Sequence, residues 1–415
     1  MIKKILEHRF FKDSFWTISA LCILNVTIQF IIYPFLNHVL GAEQYGNTLF
    51  LISIINIVSV SIGISVNNRR MVASADSETQ NAEYNLFLII MSILLLPVSA
   101  FLTVLFKMNM GALQILLFWG LMCMTTWRYY ADVEFRLKLN YKGYFAYYLF
   151  ISIGYLLGMI LFKATDEWTL ILLPGETAGL IYVAWKGSIF KKAAISRRAV
   201  KLFLEAVMYL IASQLLIQLV FNADRFVLKL LSGGVAVTVY YIASLMGKTI
   251  ALLTTPLNSV IIGYLAKSRK EMTAGRWTRI VGMCIIAGGV ILLVCVAASH
   301  IVIRILYPSE FDMAEPLFML ANLAQIVYFM TGILTTILLR YVEERQQLNI
   351  TLAYVIAFAA IVLPLTWKYK LWGFAYAILV VNTFRFIYVF FVMFKKIKGK
   401  KLRTVRTDMS DGQRR

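Results

Sequence analysis

Long apolar runs separated by short polar breaks recur along the whole chain. A helix rising ~1.5 Å per residue needs ~20 apolar residues to cross a ~30 Å hydrocarbon core. Runs of that size predict twelve spans, at about 15–40, 47–66, 84–106, 112–127, 143–162, 168–185, 202–221, 235–263, 280–306, 317–339, 347–367 and 371–394. An even number places both ends of the chain on one side. The first run is longer than a signal-peptide core and no small-residue cleavage site follows a short apolar stretch, so it is read as a retained span. Seven of the eight tryptophans (Trp16, Trp127, Trp168, Trp185, Trp277, Trp367, Trp372) fall near these span ends, where an amphipathic ring sits best at the headgroup level.

Composition agrees with the pattern and removes other classes. Of 415 residues 60% are apolar and 15% charged, with a mean hydropathy of +0.76, whereas a soluble domain carries about 25% charge. Water-soluble enzymes, secreted disulfide scaffolds and disordered tails are excluded. The net charge of +20 would suggest a nucleic-acid partner in a soluble protein; here its distribution gives it another meaning, and no nucleic acid is expected. Of 41 Lys and Arg, 32 fall in the termini and one set of alternate loops, and six (Lys107, Lys163, Arg225, Lys229, Lys368, Lys370) in the other set. Basic residues near span ends stay in the cytoplasm, so an N-terminal arm, 1–14, and a basic tail, 395–415, are both expected to be cytoplasmic. The four cysteines, Cys22, Cys123, Cys284 and Cys295, lie in apolar runs without paired or metal-like spacing and read as packing residues.

The external loops have at most about fifteen residues, too few for an active site on an extramembrane domain. No GxxxxGK[ST] phosphate cradle, dinucleotide fingerprint or HExxH is present, so neither an enzyme nor a cofactor is expected. A membrane glycosyl polymerase would need a sizeable external loop bearing acid/base residues.

Comparison of the two halves finds two external glycine turns that each feed an apolar helix. Leu40-Gly41-Ala42-Glu43-Gln44-Tyr45-Gly46 matches Ser232-Gly233-Gly234-Val235-Ala236-Val237-Thr238 in shape at an offset of 192 residues. Two six-helix halves of parallel orientation would give such an offset. They would run over 15–185 and 202–394, joined by a basic cytoplasmic linker at 186–201. The stretch from Tyr33 to Ile57 also resembles the first hairpin of the polysaccharide-type flippases, in the superfamily that holds the multidrug and toxic compound extrusion exporters. Phe221 to Ile261, with its Asn222-Ala223-Asp224-Arg225 turn and Tyr240-Tyr241-Ile242-Ala243-Ser244 stretch, resembles their span 7 to span 8 region. One departure is Ser232-Gly233, where that family more often reads Leu-Gly. The resemblance implies an all-α integral membrane fold like that of the MATE exporters: twelve helices in two six-helix bundles related by pseudo-two-fold symmetry. It also implies alternating access for a lipid-linked oligosaccharide, an O-antigen or exopolysaccharide repeat unit on undecaprenyl diphosphate, at the bacterial inner membrane. Membrane lipids, a polysaccharide polymerase and a chain-length regulator are the further partners that go with it.

Ionisable residues inside spans are costly and mark function by default. Lys248 lies 13 residues into span 8, about 20 Å and too deep to snorkel with ease. Arg385 lies in span 12 with Asn382 on its face, whereas Arg304 is close enough to a span end to snorkel. Glu176 sits mid-span 6 beside Pro174. Along span 7, Gln214, Gln218, Asn222 and Arg225 share one helical face; Asn25 and Gln29 in span 1, and Asn322 and Gln325 in span 10, repeat the pattern in shorter form. Each amide taken alone also fits a plain interhelical hydrogen bond; together with the two deep cations the stripes read as the lining of a substrate cavity. Buried cations outnumber deep acids, which points to an anionic substrate, a diphosphate suiting Lys and Arg. Glu176 and Asp224 are the candidates for proton coupling. No metal site is expected. The alternatives are a drug or cation antiporter, which would depend on Glu176 and Asp224, and a membrane scaffold for polysaccharide enzymes. Topology is directly testable: reporter fusions after residues 166 and 310 should signal from the periplasm, those after 195 and 405 from the cytoplasm, and a periplasmic signal at 405 would overturn the scheme.

Overall fold

The computed structural model describes residues 2–73, 81–191, 197–251, 272–338, 341–342 and 344–412, and every element in them is helical. Helix α1 (Ile2–Val26) passes through a π-helical turn, Thr27–Ile32, into α2 (Tyr33–Ile55), and a second π-helical turn, Asn56–Val60, leads to α3 (Ser61–Ala73). Then follow α4 (Asn81–Leu105), α5 (Ala112–Ala131), the short α6 (Val133–Leu137), α7 (Tyr141–Thr165), α8 (Thr169–Lys186) and α9 (Arg197–Phe221). The chain continues through α10 (Ala223–Ser232), α11 (Gly234–Ala243), α12 (Leu245–Ala251), α13 (Ala274–Leu306), α14 (Phe311–Ala314), α15 (Phe318–Leu338) and α16 (Glu344–Gly412).

Seven of the described helical stretches are long and apolar enough to cross a membrane. Two of them are too long for one crossing. Lys12–Val72 has 61 residues and Asn349–Lys398 has 50, about 90 and 75 Å of helix against a ~30 Å core. Each is broken by one residue with positive φ, Gly41 in the first (φ 74°) and Lys370 in the second (φ 53°). Division at these breaks, with α5, α8 and the α11–α12 run added, is consistent with twelve spans. The second half of the expected span 8, 252–263, lies outside the described residues, as do 192–196 of the expected linker and 264–271 of the basic segment after span 8.

By compactness the chain forms two units, Met1–Gly41 with Thr48–Ala223, and Ala42–Asn47 with Asp224–Arg415. The division falls at Ala223/Asp224, downstream of the 186–201 segment in which the basic residues place the join. The physical reason is the apolar face of α9. Phe203 packs edge-on against Tyr84 (4.9 Å) and Phe87 (5.4 Å) of α4, and Val207 and Ile211 are buried with it. Charge sets the expected join, while apolar burial decides which helices fold together.

In the first unit α7 and α8 approach through small residues. Gly154 and Gly158 on α7 share a face at i, i+4, and face Gly175 and Ile171 on α8. Lipid provides no hydrophobic drive between helices, so such backbone contact supplies the packing energy. In the second unit Trp277 and Val281 of α13 pack with Leu334, Ile337 and Leu338 of α15 and Ile350, Val389 and Met393 of α16. The Trp277 indole N–H donates to the Phe390 carbonyl at 3.2 Å, so the buried ring keeps a partner.

The two glycine turns matched in the sequence share a backbone conformation. Gly41 has φ 74° and ψ 165°, and Gly233 has φ 91° and ψ 178°, a region open only to residues without Cβ. The α7–α8 contact is testable at Gly158, where a Cβ would sit 2.2 Å from the Ile171 carbonyl oxygen. Gly158→Val should destabilise the chain by about 1–3 kcal/mol or more, read as a lower melting temperature in detergent; an unchanged melting temperature would show that the helices separate at no cost.

Candidate functional site

In the second unit, three of the sequence-chosen charges meet around one aromatic ring. The break between α9 and α10 puts Asp224 and Arg225 in the first turn of α10. Tyr241 projects from α11, and a break at Ser244 separates it from Lys248 on α12. The Lys248 ammonium is ion-paired with Asp224 Oδ2, and their side chains are 18% and 12% exposed. Arg225 and Lys248 both lie near the Tyr241 ring, 5.2 and 5.4 Å from its centroid. Cation–π attraction strengthens where water is excluded, so the ring offsets part of the repulsion between the two like charges.

Asn322 explains how Lys248 is held. The break at Ser244 frees backbone groups inside an apolar helix, where an unsatisfied group costs several kcal/mol. The Asn322 carbonyl accepts from the Gly247 N–H at 2.6 Å, and its amide donates to the carbonyls of Ala243 (3.1 Å) and Phe318 (2.7 Å) and to Ser299 Oγ (3.2 Å). It spans the break and is fully buried, so it acts as a brace. Gln325, one turn on, packs its Cβ beside Gly247.

Arg385 has a separate setting. Its guanidinium lies 5.2 Å from the Tyr328 ring centroid and 4.9 Å from that of Tyr354. It has no carboxylate partner among the described residues, and its buried Nε has no hydrogen-bond partner among them. Asn382, one turn before, accepts from the Tyr354 hydroxyl at 3.1 Å and donates to the Ala324 carbonyl at 2.9 Å, which fixes the ring beneath Arg385.

The turn Ala42–Asn47 docks on the same unit. The Glu43 carboxylate accepts from the backbone N–H of Gly234 (3.2 Å) and Val235 (2.9 Å) and so caps α11, a favourable place for negative charge. Lys229 donates to Asn47 and lies 3.8 Å from Glu43, and the Thr238 hydroxyl donates to the Ala42 carbonyl at 2.6 Å.

The first unit holds the remaining candidates and one further buried cation, Arg128. Asn25 donates back to the Leu21 carbonyl at 2.8 Å, while Gln29 lies in the first π-helical turn. Gln214 and Gln218 are half-buried. Asn222 donates to the Gln218 carbonyl at 2.9 Å and accepts, at 3.5 Å, from Asn56 in the second π-helical turn. Glu176 pairs with Arg128 of α5, Nε to Oε2 at 2.5 Å, and its other oxygen accepts from the Tyr155 hydroxyl at 2.7 Å. Arg128 also lies 4.1 Å from the Tyr129 ring centroid. Beside this pair, Asp132 accepts from Asn67, from Arg136 at 3.0 Å and from Tyr144 at 3.4 Å. Burial holds the Asp132 carboxyl above its ordinary range, with Arg136 and Asn67 opposing.

No family model and no curated protein matches this chain. Solved structures do match, over nearly its full length. The lipid II flippase MurJ, in an inward closed conformation, superposes with a TM-score of 0.66 at 11% identity, covering 97% of this chain and 90% of that one. An inward-facing multidrug resistance MATE family transporter of the MOP superfamily gives 0.67 at 12% identity, covering 93% and 99%. The chain has the MATE and MurJ transporter fold. A third match is a MOP superfamily transporter from Pyrococcus furiosus, whose binding pocket is described as having reverse polarity that suggests a different function. It gives a TM-score of 0.63 at 12% identity, covering 95% and 96%.

Within this fold, polarity must be read from the residues present. Arg128 falls just past the expected span 112–127, where an apolar run ends, and so reads from the sequence as a loop cation. The structure places it in the last turn of α5, almost completely buried. A deep acid on span 6 without a matching cation was the available signal. Removal of one partner of a buried pair strands the other charge, which costs about 3–5 kcal/mol, whereas apolar replacement of both is often neutral. Arg128→Met should therefore lower stability by about that much, and Arg128→Met/Glu176→Leu should recover most of it in thermal melts of the solubilised chain. Equal losses in the single and double variants would deny the pairing.

Proposed function

We propose that this protein is a flippase, not an enzyme, which carries an oligosaccharide linked to polyprenyl diphosphate from the cytoplasmic to the outer leaflet of a bacterial inner membrane by alternating access. The observation that carries the reading is Arg385, a cation within an apolar helix whose described neighbours are two tyrosine rings and no carboxylate. A charge so placed is costly unless an anion arrives to satisfy it. Arg225 and Lys248 supply two further cations around Tyr241, and a diphosphate offers the oxygens that guanidinium and ammonium groups bind. Half-buried amides such as Gln214 and Gln218 suit the hydroxyls of a sugar. The full-length likeness to a lipid II flippase supports a lipid-linked substrate, and the short turns at Gly41 and Gly233 suit a gate on the outer side. O-antigen and exopolysaccharide repeat units are the substrates that the sequence resemblance favours, with a polymerase and chain-length regulator acting downstream.

A cation antiporter is the second reading, because the match to MATE transporters is as good as the match to MurJ. It would need a carboxylate free to exchange protons or drugs. Glu176 and Asp224, the two acids proposed for proton coupling, are each held by a cation here, so coupling at either requires that its pair open. In cells lacking the native protein, Lys248→Ala and Arg385→Ala should each stop surface polysaccharide while the protein still accumulates, and Lys248→Arg should keep part of the activity. Normal export by both alanine variants would overturn the anionic-substrate reading.

A further inference from the structure

The two ion pairs in the apolar helices differ in how completely they are closed. In the Arg128–Glu176 pair the side chains are 6% and 4% exposed, and both carboxylate oxygens are engaged, one by Arg128 and one by Tyr155. In the Lys248–Asp224 pair the exposures are about three times larger, at 18% and 12%. Only Asp224 Oδ2 meets the ammonium, and buried Oδ1 has no hydrogen-bond partner among the described residues. An ammonium is a compact charge on a flexible stem that makes no bidentate fork, so this contact is the easier of the two to exchange. Arg225 stands on the same ring as Lys248; without Asp224, two cations would share a poorly hydrated site.

We propose that Asp224 is an internal stand-in for the transported anion: its carboxylate occupies Lys248 when the site is empty and gives way to the phosphate groups of the substrate. The inference rests on the anionic-substrate reading above and adds a residue that sets affinity and release. Asp224 offsets the cost of two desolvated cations while no substrate is present. Once substrate is bound, the displaced carboxylate repels the phosphate groups and favours their departure. A carrier must bind weakly enough to release, and a competing internal charge provides that limit. The exchange breaks and forms ionic contacts only, so no co-reactant is needed.

The distinguishing signature is a split between binding and transport. In the purified full chain in nanodiscs, calorimetric titration with farnesyl diphosphate should show Asp224→Asn binding roughly tenfold or more tighter than the native chain. Lys248→Met should bind more weakly, Asp224→Glu close to native, and farnesol should give no heat in any of them. Cells carrying Asp224→Asn should export less surface polysaccharide despite normal accumulation, whereas a merely structural aspartate would lose binding and export together. Inorganic pyrophosphate in a parallel titration separates the sources of the anion: tightening with pyrophosphate assigns the exchange to phosphate groups alone, tightening only with farnesyl diphosphate assigns it to the lipid-linked form, and either supports the proposal. If Asp224→Asn does not accumulate, Asp224→Ser makes the same comparison. Failure of both neutral variants to fold would make the residue structural and overturn the proposal. Native binding that neither neutral variant improves would overturn this inference alone, while silence of native and variant chains toward both anions would overturn the anionic-carrier reading with it.

Discussion

A charge in a low-dielectric helix bundle must find a partner, and the interior of each unit is organised around that requirement. Arg128 has Glu176, Lys248 has Asp224, and Arg385 has the faces of Tyr328 and Tyr354. The three solutions differ in closure. Carboxylate and ring hold Arg128, with the Tyr155 hydroxyl on the same carboxylate; one carboxylate oxygen holds Lys248; among the described residues two rings face Arg385 and no carboxylate does. Because an unpaired charge costs far more than a paired one returns, these residues constrain which helices can neighbour one another.

The same constraint applies to the backbone. A break in an apolar helix exposes N–H and C=O groups to a medium that offers no water, and side chains answer several of the breaks here. Asn322 spans the break at Ser244, and Glu43 caps the helix that starts at Gly234. Lys370, itself at positive φ, donates to the Leu231 carbonyl near the end of α10 at 3.0 Å. These braces place charged side chains at defined points. Lys248 reaches Asp224 because α12 restarts after the break, with Asn322 on the Gly247 N–H.

Much of the architecture was legible in the sequence because hydropathy is a sum over many residues and survives local errors. Spans 11 and 12 were expected to part at 368–370, and the helix breaks at Lys370; the glycine turns matched at an offset of 192 share one backbone conformation. Pairing was not legible, since it depends on contacts between distant positions. Arg128 and Glu176 are 48 residues apart, and an arginine at the end of an apolar run counts as a loop cation in any tally of basic residues. Asn322 and Asn382 looked like Gln214 and Gln218, all amides on helical faces. Their neighbours separate them: the two asparagines have their hydrogen bonds filled by α11, α12, α15 and Tyr354, while the glutamines stay half-buried.

Fold alone does not choose between a lipid carrier and a drug exporter, because a scaffold is shared and function lies in the site built on it. What differs between the two functions is the sign of the charge left without an internal partner. A site for cations must keep a carboxylate available, and both intramembrane carboxylates singled out in this chain are already held by Arg128 and Lys248. Arg385, a cation, has no such hold among the described residues. Electrostatic compensation is therefore the property on which the two readings divide, and it is set by side chains whose positions follow from the breaks and braces of the helices that carry them.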